Sequence, residues 1–204
     1  MYSINKLKKD ETYSIIHYTG FICILLGLLM LVPVSVALIY GEYHYILPFV
    51  YSAVISIVFG FILYKFFKNT QEISLKSAMI FATIIWLVAS AIAALPFYFS
   101  GDLSYLNSYF EAISGLTTTG FSMYNNLDAV SYTMNFWRGF MQWFGGIGII
   151  VMALTILSSP SINVMRMYSA EGREERLVPS IRHTTRIIVY IYMGYTVFSI
   201  ILFL

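Results

Sequence analysis

Charged residues cluster along this chain, and the gaps between the clusters are long and apolar. From Thr12 to Gly41 there is no Asp, Glu, Lys or Arg, a run longer than the ~20 residues an α-helix needs to cross a bilayer. Its excess length predicts a tilted helix or ends that lie in the interface, and Pro33 predicts a kink. After a tight turn at Glu42-Tyr43-His44, a second span runs from about Tyr45 to Tyr64 and stops at Lys65. A third lies between Lys76 and Asp102, and a fourth reaches from near Phe136 to about Leu157. A fifth starts near Ile187 and is still apolar at Leu204. Between the third and fourth spans, Tyr105 to Gly115 reads as a helix too short and too polar to cross by itself. It leads into the run Leu116-Thr117-Thr118-Thr119-Gly120-Phe121.

The basic residues set an orientation. Lys6, Lys8 and Lys9 precede span one, Lys65, Lys68 and Lys76 flank the loop after span two, and Arg166, Arg173, Arg176, Arg182 and Arg186 follow span four. Of the 12 Lys and Arg residues, only Arg138 falls on the opposite side, together with Glu42, Asp102, Glu111 and Asp128. The positive-inside rule then makes the N-terminus cytoplasmic, and Tyr40, Tyr43, Tyr45 and Tyr98 fall near the outer boundary, where an aromatic belt lies. Span three ends outside and span four starts outside, so Tyr105 to Asn135 begins and ends on the outer face. A short helix that dips in, with a strand-like return, satisfies this topology. So does an ordinary external loop, and the residues around Gly120 decide for the re-entrant form.

Composition agrees with an integral membrane protein. Hydrophobic residues make up 59% and charged residues 11%, against about a quarter charged in an ordinary soluble domain, and mean hydropathy is +0.76. The net charge of +2 gives no case for nucleic acid. Cys23 is the single cysteine and sits in an apolar run, so there is no disulfide framework and the thiol reads as a small buried apolar group. The first apolar stretch is too long for a signal peptide and lacks a small-residue cleavage site. His17, His44 and His183 lie far apart on different topological sides and form no metal or triad spacing. The spans are nearly bare of clustered polar residues, so the chain is read as no enzyme.

Non-helical backbone at membrane depth is tolerated where protein buries it or where it lines a wet cavity. Thr117, Thr118 and Thr119 can turn main-chain carbonyls toward an ion path, with hydroxyls as auxiliary partners. Gly120 can adopt φ > 0, which lets neighbouring carbonyls point the same way. The short helix ends just before this run, and its partly negative C-terminus favours a cation. Glu111 and Arg138 are ionisable groups near membrane depth, where charge is costly unless paired. Two roles stay open for them: shaping the field of the outer vestibule, or a scaffold that holds the short helix against span four as a pair or through separate partners. Asp102 and Asp128 read as solvated loop charges that attract cations weakly. Gly139, Gly145, Gly146 and Gly148 in span four read as helix-packing residues, with backbone adjustment during gating as the alternative. Met141, Met152, Met165 and Met167 read as packing residues rather than a metal site.

The run from Phe110-Glu111-Ala112-Ile113-Ser114-Gly115 through Leu116-Thr117-Thr118-Thr119-Gly120-Phe121 resembles the first pore loop of the Trk/Ktr (TrkH-type) bacterial potassium transporters. Trp137-Arg138-Gly139-Phe140-Met141-Gln142-Trp143-Phe144-Gly145-Gly146-Ile147-Gly148-Ile149-Ile150 resembles that family's helix after the filter. Members have four helix–pore loop–helix repeats in one subunit, preceded in TrkH-type proteins by two further spans. The resemblance implies an all-α integral membrane protein with a K⁺-channel-like helix–pore loop–helix repeat behind a two-helix hairpin, in a chain that reads as truncated or split. It implies a division into residues 1–70 (cytoplasmic arm and leading helix pair), 71–160 (first repeat) and 161–204 (linker and first helix of an incomplete second repeat).

The implied function is potassium uptake across the bacterial cytoplasmic (inner) membrane as the pore-forming subunit of a Trk-type system. The implied filter is Thr117, Thr118, Thr119, Gly120 and Phe121, with K⁺ at Thr118, Thr119 and Gly120, and Glu111 and Arg138 as pore support. No cofactor is implied, K⁺ being the transported ion. The implied partners are the lipid bilayer, a second copy of the chain or the remaining half of the transporter, and a cytosolic nucleotide-binding regulatory subunit. One Thr-Thr-Thr-Gly run supplies only a quarter of a filter ring, so the alternative is a non-conducting fragment that acts only as a membrane assembly partner.

Overall fold

The fold is described from a computed structural model for residues 9–67, 74–157 and 181–203, and among these every regular element is helical. The helices are α1 (Lys9–Leu29), α2 (Val32–Ile39), α3 (Ile46–Phe66), α4 (Leu75–Ala93), α5 (Leu95–Phe99), α6 (Tyr105–Leu116), α7 (Tyr132–Leu157) and α8 (Ile181–Phe203). The connector that carries Arg166, Arg173 and Arg176, and the positions of Lys6, Lys8 and Lys68, lie outside the described residues. Compactness divides the chain into two units, Met1–Gly145 and Gly146–Leu204.

Proline explains two breaks. The first apolar run is continuous in sequence but is interrupted at Met30 and Leu31, because Pro33 occupies the first turn of α2, where its missing N–H costs nothing and its fixed φ suits a helix start. The third run, read from sequence as one span, breaks in the same way at Ala94, with Pro96 in the first turn of α5. Gly41, at φ 71°, and a 3-10 turn over Tyr43–Tyr45 reverse the chain into α3.

In the first unit, α1 and α3 cross at glycines. A Cβ on Gly20 would lie 2.7 Å from the Gly60 carbonyl oxygen, and one on Gly60 would lie 2.6 Å from the Gly20 carbonyl oxygen. Backbone therefore packs directly on backbone, the small-residue solution for helix pairs in lipid. Near the crossing the Ser56 hydroxyl donates to the Cys23 carbonyl at 2.6 Å, and the Cys23 side chain is buried. One turn from the far end of α3, His17 Nδ1 donates to the Tyr64 and Phe67 carbonyls at 2.9 and 2.7 Å. That satisfies two of the carbonyls a helix C-terminus leaves open.

A buried cluster joins α3, the α4–α5 pair, α6 and the first half of α7. Phe49, Ala93, Phe97, Ala112, Leu116, Met134, Trp137 and Met141 are among its members, and Cys23 and Leu26 of α1 extend it to the first helix. Trp137 is fully enclosed, edge-on to Phe49 at 5.8 Å, and its indole N–H donates to the Ala93 carbonyl at 3.2 Å. A large amphipathic ring with its one donor satisfied fixes the height of α7 on α4. Away from this cluster, Phe21, Leu25 and Leu28 of α1 and Val54, Val58 and Phe61 of α3 are exposed, the inverse of a soluble surface.

Among the described residues, four stretches are long and apolar enough to cross a membrane: Glu11–Ile39, Tyr43–Phe66, Lys76–Phe99 and Thr184–Leu202. The 26 residues of α7 extend ~39 Å at the standard rise, beyond the ~30 Å hydrocarbon core. In the second unit, Ile147 and Ile150 of α7 and Ile188 and Val189 of α8 line one apolar crevice. Elsewhere on α8, Tyr190, Ile191, Phe198 and Ile201 are exposed.

Candidate functional site

Helix α6 is the short element expected between the third and fourth spans, and its sequence sets both its ends. Ser104 caps the N-terminus, its hydroxyl accepting the Asn107 N–H at 3.4 Å. At the C-terminus the chain turns back on the helix end. Thr117 N donates to the Ile113 carbonyl at 2.9 Å, Thr118 N to Gly115 at 2.9 Å, and Thr119 N and Gly120 N both to Ser114 at 2.9 and 3.3 Å. Thr118 lies at φ 58° and Gly120 at φ 82°. The first is an uncommon conformation for a side chain branched at Cβ, and the second is one that glycine adopts freely. A Cβ on Gly120 would meet nothing within 4 Å, so conformation and not space selects glycine there.

Every backbone N–H from Thr117 to Gly120 is thus spent on the end of α6. Among the described residues, no hydrogen bond ends on the carbonyls of Thr117, Thr118, Thr119 or Gly120. The side chains of Thr117 and Thr119 are tied locally, with Thr117 Oγ1 donating to the Ile113 carbonyl at 2.7 Å and lying 2.8 Å from Thr119 Oγ1. Thr118, Thr119, Gly120 and Phe121 are exposed while Ser114, Gly115 and Leu116 beneath them are buried. The arrangement presents unpaired, negatively polarised oxygens on an open face over a packed base, which suits a desolvated cation.

The return from this turn is irregular rather than strand-like and is anchored by two side chains of α6. Ser114 Oγ donates to the Phe121 carbonyl at 2.6 Å. One turn earlier, the buried Glu111 carboxylate accepts from Ser122 Oγ at 3.1 Å to each oxygen and from Met123 N at 2.7 Å. It also forms an ion pair with Arg138 Nε of α7. Arg138 Nη1 reaches Asn135 Oδ1 at 3.5 Å. The structure therefore brings Glu111 and Arg138 together, and the carboxylate's oxygens are shared between α7 and the returning segment of the loop.

Helix α7 approaches the base of the turn without spacing side chains. A Cβ on Gly145 would overlap the Leu116 carbonyl oxygen, and one on Gly115 would lie 3.2 Å from Met141 Cε. Gly139, in contrast, faces open space. At the other end of α7, Glu42 supplies a cap. Its carboxylate accepts from Tyr132 N at 3.0 Å, Thr133 N at 2.9 Å and Thr133 Oγ1 at 2.6 Å, while Tyr40 stacks on Tyr132 at 4.4 Å. A carboxylate at a helix N-terminus is favoured by the helix dipole as well as by these donors.

Asp102 is exposed, as read from sequence, but it is not a free loop charge: its carboxylate accepts from the Tyr124 hydroxyl at 3.3 Å. Burial, and then the Asp102 carboxylate, push the Tyr124 phenol up from its ordinary range. Asp128 is exposed and its backbone N–H donates to Asn126 Oδ1 at 3.0 Å. Ser114, Ser122, Glu42 and Tyr124 were not singled out by the sequence. Ser114 carried a readable signal, since it falls three positions after Glu111 and so shares its face of α6. Glu42 carried none, because the donors it meets lie ninety positions away.

The family model for TrkH, described as a cation transport protein, matches residues 48–204. An uncharacterized cation transporter of Methanocaldococcus jannaschii is 34% identical over 200 residues, which cover 98% of this chain and 42% of that protein. The Trk system potassium uptake protein TrkH of Escherichia coli is 32% identical over 191 residues, covering 90% of this chain and 39% of that one. The crystal structure of the potassium transporter TrkH from Vibrio parahaemolyticus superposes with a TM-score of 0.74 at 30% identity, over 91% of this chain and 38% of that chain. The chain spans about two-fifths of the length of these relatives. With most of its residues inside the family match and a solved relative of the same fold, this all-helical membrane chain belongs to the TrkH family of cation transport proteins.

Proposed function

We propose that this chain forms part of the ion path of a potassium uptake system in the bacterial cytoplasmic membrane, with its N-terminus in the cytoplasm. The reading rests on one observation above all. The backbone donors of Thr117 to Gly120 are consumed by the end of α6, and the carbonyls of the same residues are left unpaired on an exposed face. A row of such oxygens substitutes for an ion's hydration shell. K⁺ is coordinated at Thr118, Thr119 and Gly120, within a filter that runs from Thr117 to Phe121. Glu111 and Arg138 act as pore support by fixing the return of the loop to α7. Residues 1–70, 71–160 and 161–204 serve as leading hairpin, first repeat and start of a second. The names of the relatives, potassium uptake proteins among them, support the choice of ion.

A complete ring needs carbonyls from several sides, so the conducting unit includes further chain: a second copy or the remaining part of the transporter. A cytosolic nucleotide-binding subunit is the regulatory partner that the family resemblance implies. The second reading, a membrane assembly partner that conducts nothing, is favoured by the single Thr-Thr-Thr-Gly run in these residues.

Growth of a potassium-uptake-deficient bacterium at low K⁺ separates the readings. The chain is expressed alone and together with a fragment that supplies the remaining part of a TrkH-type transporter. Rescue in either form supports transport, and no rescue in both rejects it. Where rescue occurs, Gly120→Ser is expected to weaken K⁺ over Na⁺ preference, because any side chain is strained at φ 82°. An unchanged preference rejects Gly120 as a filter residue.

A further inference from the structure

We infer that Ser114 is a specificity-determining positioning residue that ends the row of ion-facing carbonyls at Gly120; this inference rests on the filter reading above. Three bonds converge on this one residue. Its carbonyl takes the N–H groups of Thr119 and Gly120 at 2.9 and 3.3 Å, and its hydroxyl donates to the Phe121 carbonyl at 2.6 Å. Three consecutive residues of the turn are therefore referenced to a single point on α6. That point is firm, since Ser114 is only 5% exposed and its helical neighbours Gly115 and Leu116 are packed against Met141 and Gly145 of α7.

The two kinds of bond do different work. The carbonyl of Ser114 holds the donors of the turn inward, which leaves the Thr118, Thr119 and Gly120 oxygens unpaired. The hydroxyl pulls the next oxygen in the series, that of Phe121, back toward α6. The number of oxygens an ion meets, and their spacing, decide which ion is preferred. The Ser114 hydroxyl sets both at the C-terminal end of the row. Glu111 reinforces the same boundary from one turn earlier by holding Ser122 and Met123, so the chain leaves the ion-facing conformation directly after Gly120.

The test compares Ser114→Ala and Ser114→Thr with the parent, in whichever form supports growth, reading K⁺ against Na⁺ uptake and the protection each ion gives the purified protein against thermal unfolding. Alanine removes only an oxygen and adds no bulk. Loss of one ordinary hydrogen bond at the filter corresponds to about a three- to tenfold fall in ion preference, and that is expected for Ser114→Ala, with Ser114→Thr close to the parent because it keeps the hydroxyl. An unchanged preference in Ser114→Ala overturns the inference while leaving the filter reading in place, and an equal loss in both variants overturns the role of the hydroxyl. A parent with no K⁺ preference in uptake or in protection overturns the filter reading and this inference with it.

Discussion

Replacing Glu111 by alanine removes one carboxylate and strands three donors. The side chain is 1% exposed and that of Arg138 11%, so neither group is rescued cheaply by water. Arg138 keeps only the 3.5 Å contact to Asn135, and the Met123 N–H and Ser122 hydroxyl lose the acceptors they meet at 2.7 and 3.1 Å. Breaking a buried ion pair by removing one partner costs about 3–5 kcal/mol, and a single stranded amide costs about 1–3 kcal/mol. These losses overlap, because the same rearrangement relieves them, so the expected cost is about 3–5 kcal/mol in all. Arg138→Ala is expected to cost less, since the carboxylate keeps Ser122 and Met123. The double variant should cost less than the sum of the singles, with a coupling of about 1–3 kcal/mol as for groups in direct contact. Equilibrium unfolding in mixed detergent micelles, followed by tryptophan fluorescence with the buried Trp137 as reporter, measures all three. A Glu111→Ala cost below about 0.5 kcal/mol, the level of an unimportant surface site, refutes the reasoning, and so does strict additivity.

Gly145→Ala places a methyl on the Leu116 carbonyl and is expected to cost about 1–3 kcal/mol by overpacking, whereas Gly139→Ala, which meets nothing within 4 Å, should be neutral or slightly stabilising; equal unfolding midpoints for the two variants would contradict the close approach. Tyr124 is expected to make unfolding pH-dependent in alkali. Its phenol is pushed up by burial and by Asp102, so the unfolded chain releases the proton near pH ~10 while the folded chain holds it. The stability is complete below that pH and falls as pH rises further. Tyr124→Phe should lose stability less steeply than the parent above pH ~10, and identical slopes would count against the buried phenol.

The spans were legible because charges delimit them: Glu11 and Glu42 bracket the first run and Lys65 ends the second. Pro33 announced the break between α1 and α2, and Pro96 the same break in the third span, though a proline so near the end of an apolar run is easily read as part of it. Helix α6 was legible from its length and from the Thr/Gly run behind it. The unread features depend on partners distant in the chain. Gly20 and Gly60 look like any glycines in apolar helices, and only their crossing shows that each excludes a side chain from the other. Asp102 looked solvated because nothing local marks Tyr124, twenty-two positions on, as its donor. Glu111 and Arg138 were legible as two charges at membrane depth, but their pairing stayed open, since a separation of 27 positions across an irregular loop has no periodicity to read.

The Glu42 cap bears on how the chain is built during synthesis. Domains made from the N-terminus fold as they emerge, and the turn between α2 and α3 is complete some ninety residues before Tyr132 and Thr133 exist. The acceptor for the first turn of α7 is therefore waiting when that helix arrives, with the Tyr40 ring beside it to receive Tyr132. A helix that starts with Tyr132-Thr133 has no acidic residue of its own in its first turn, so it borrows one from a hairpin already inserted. The leading pair thus serves as a jig: it fixes where α7 begins, and through Arg138, two turns further on, where the loop that Glu111 holds must come to rest.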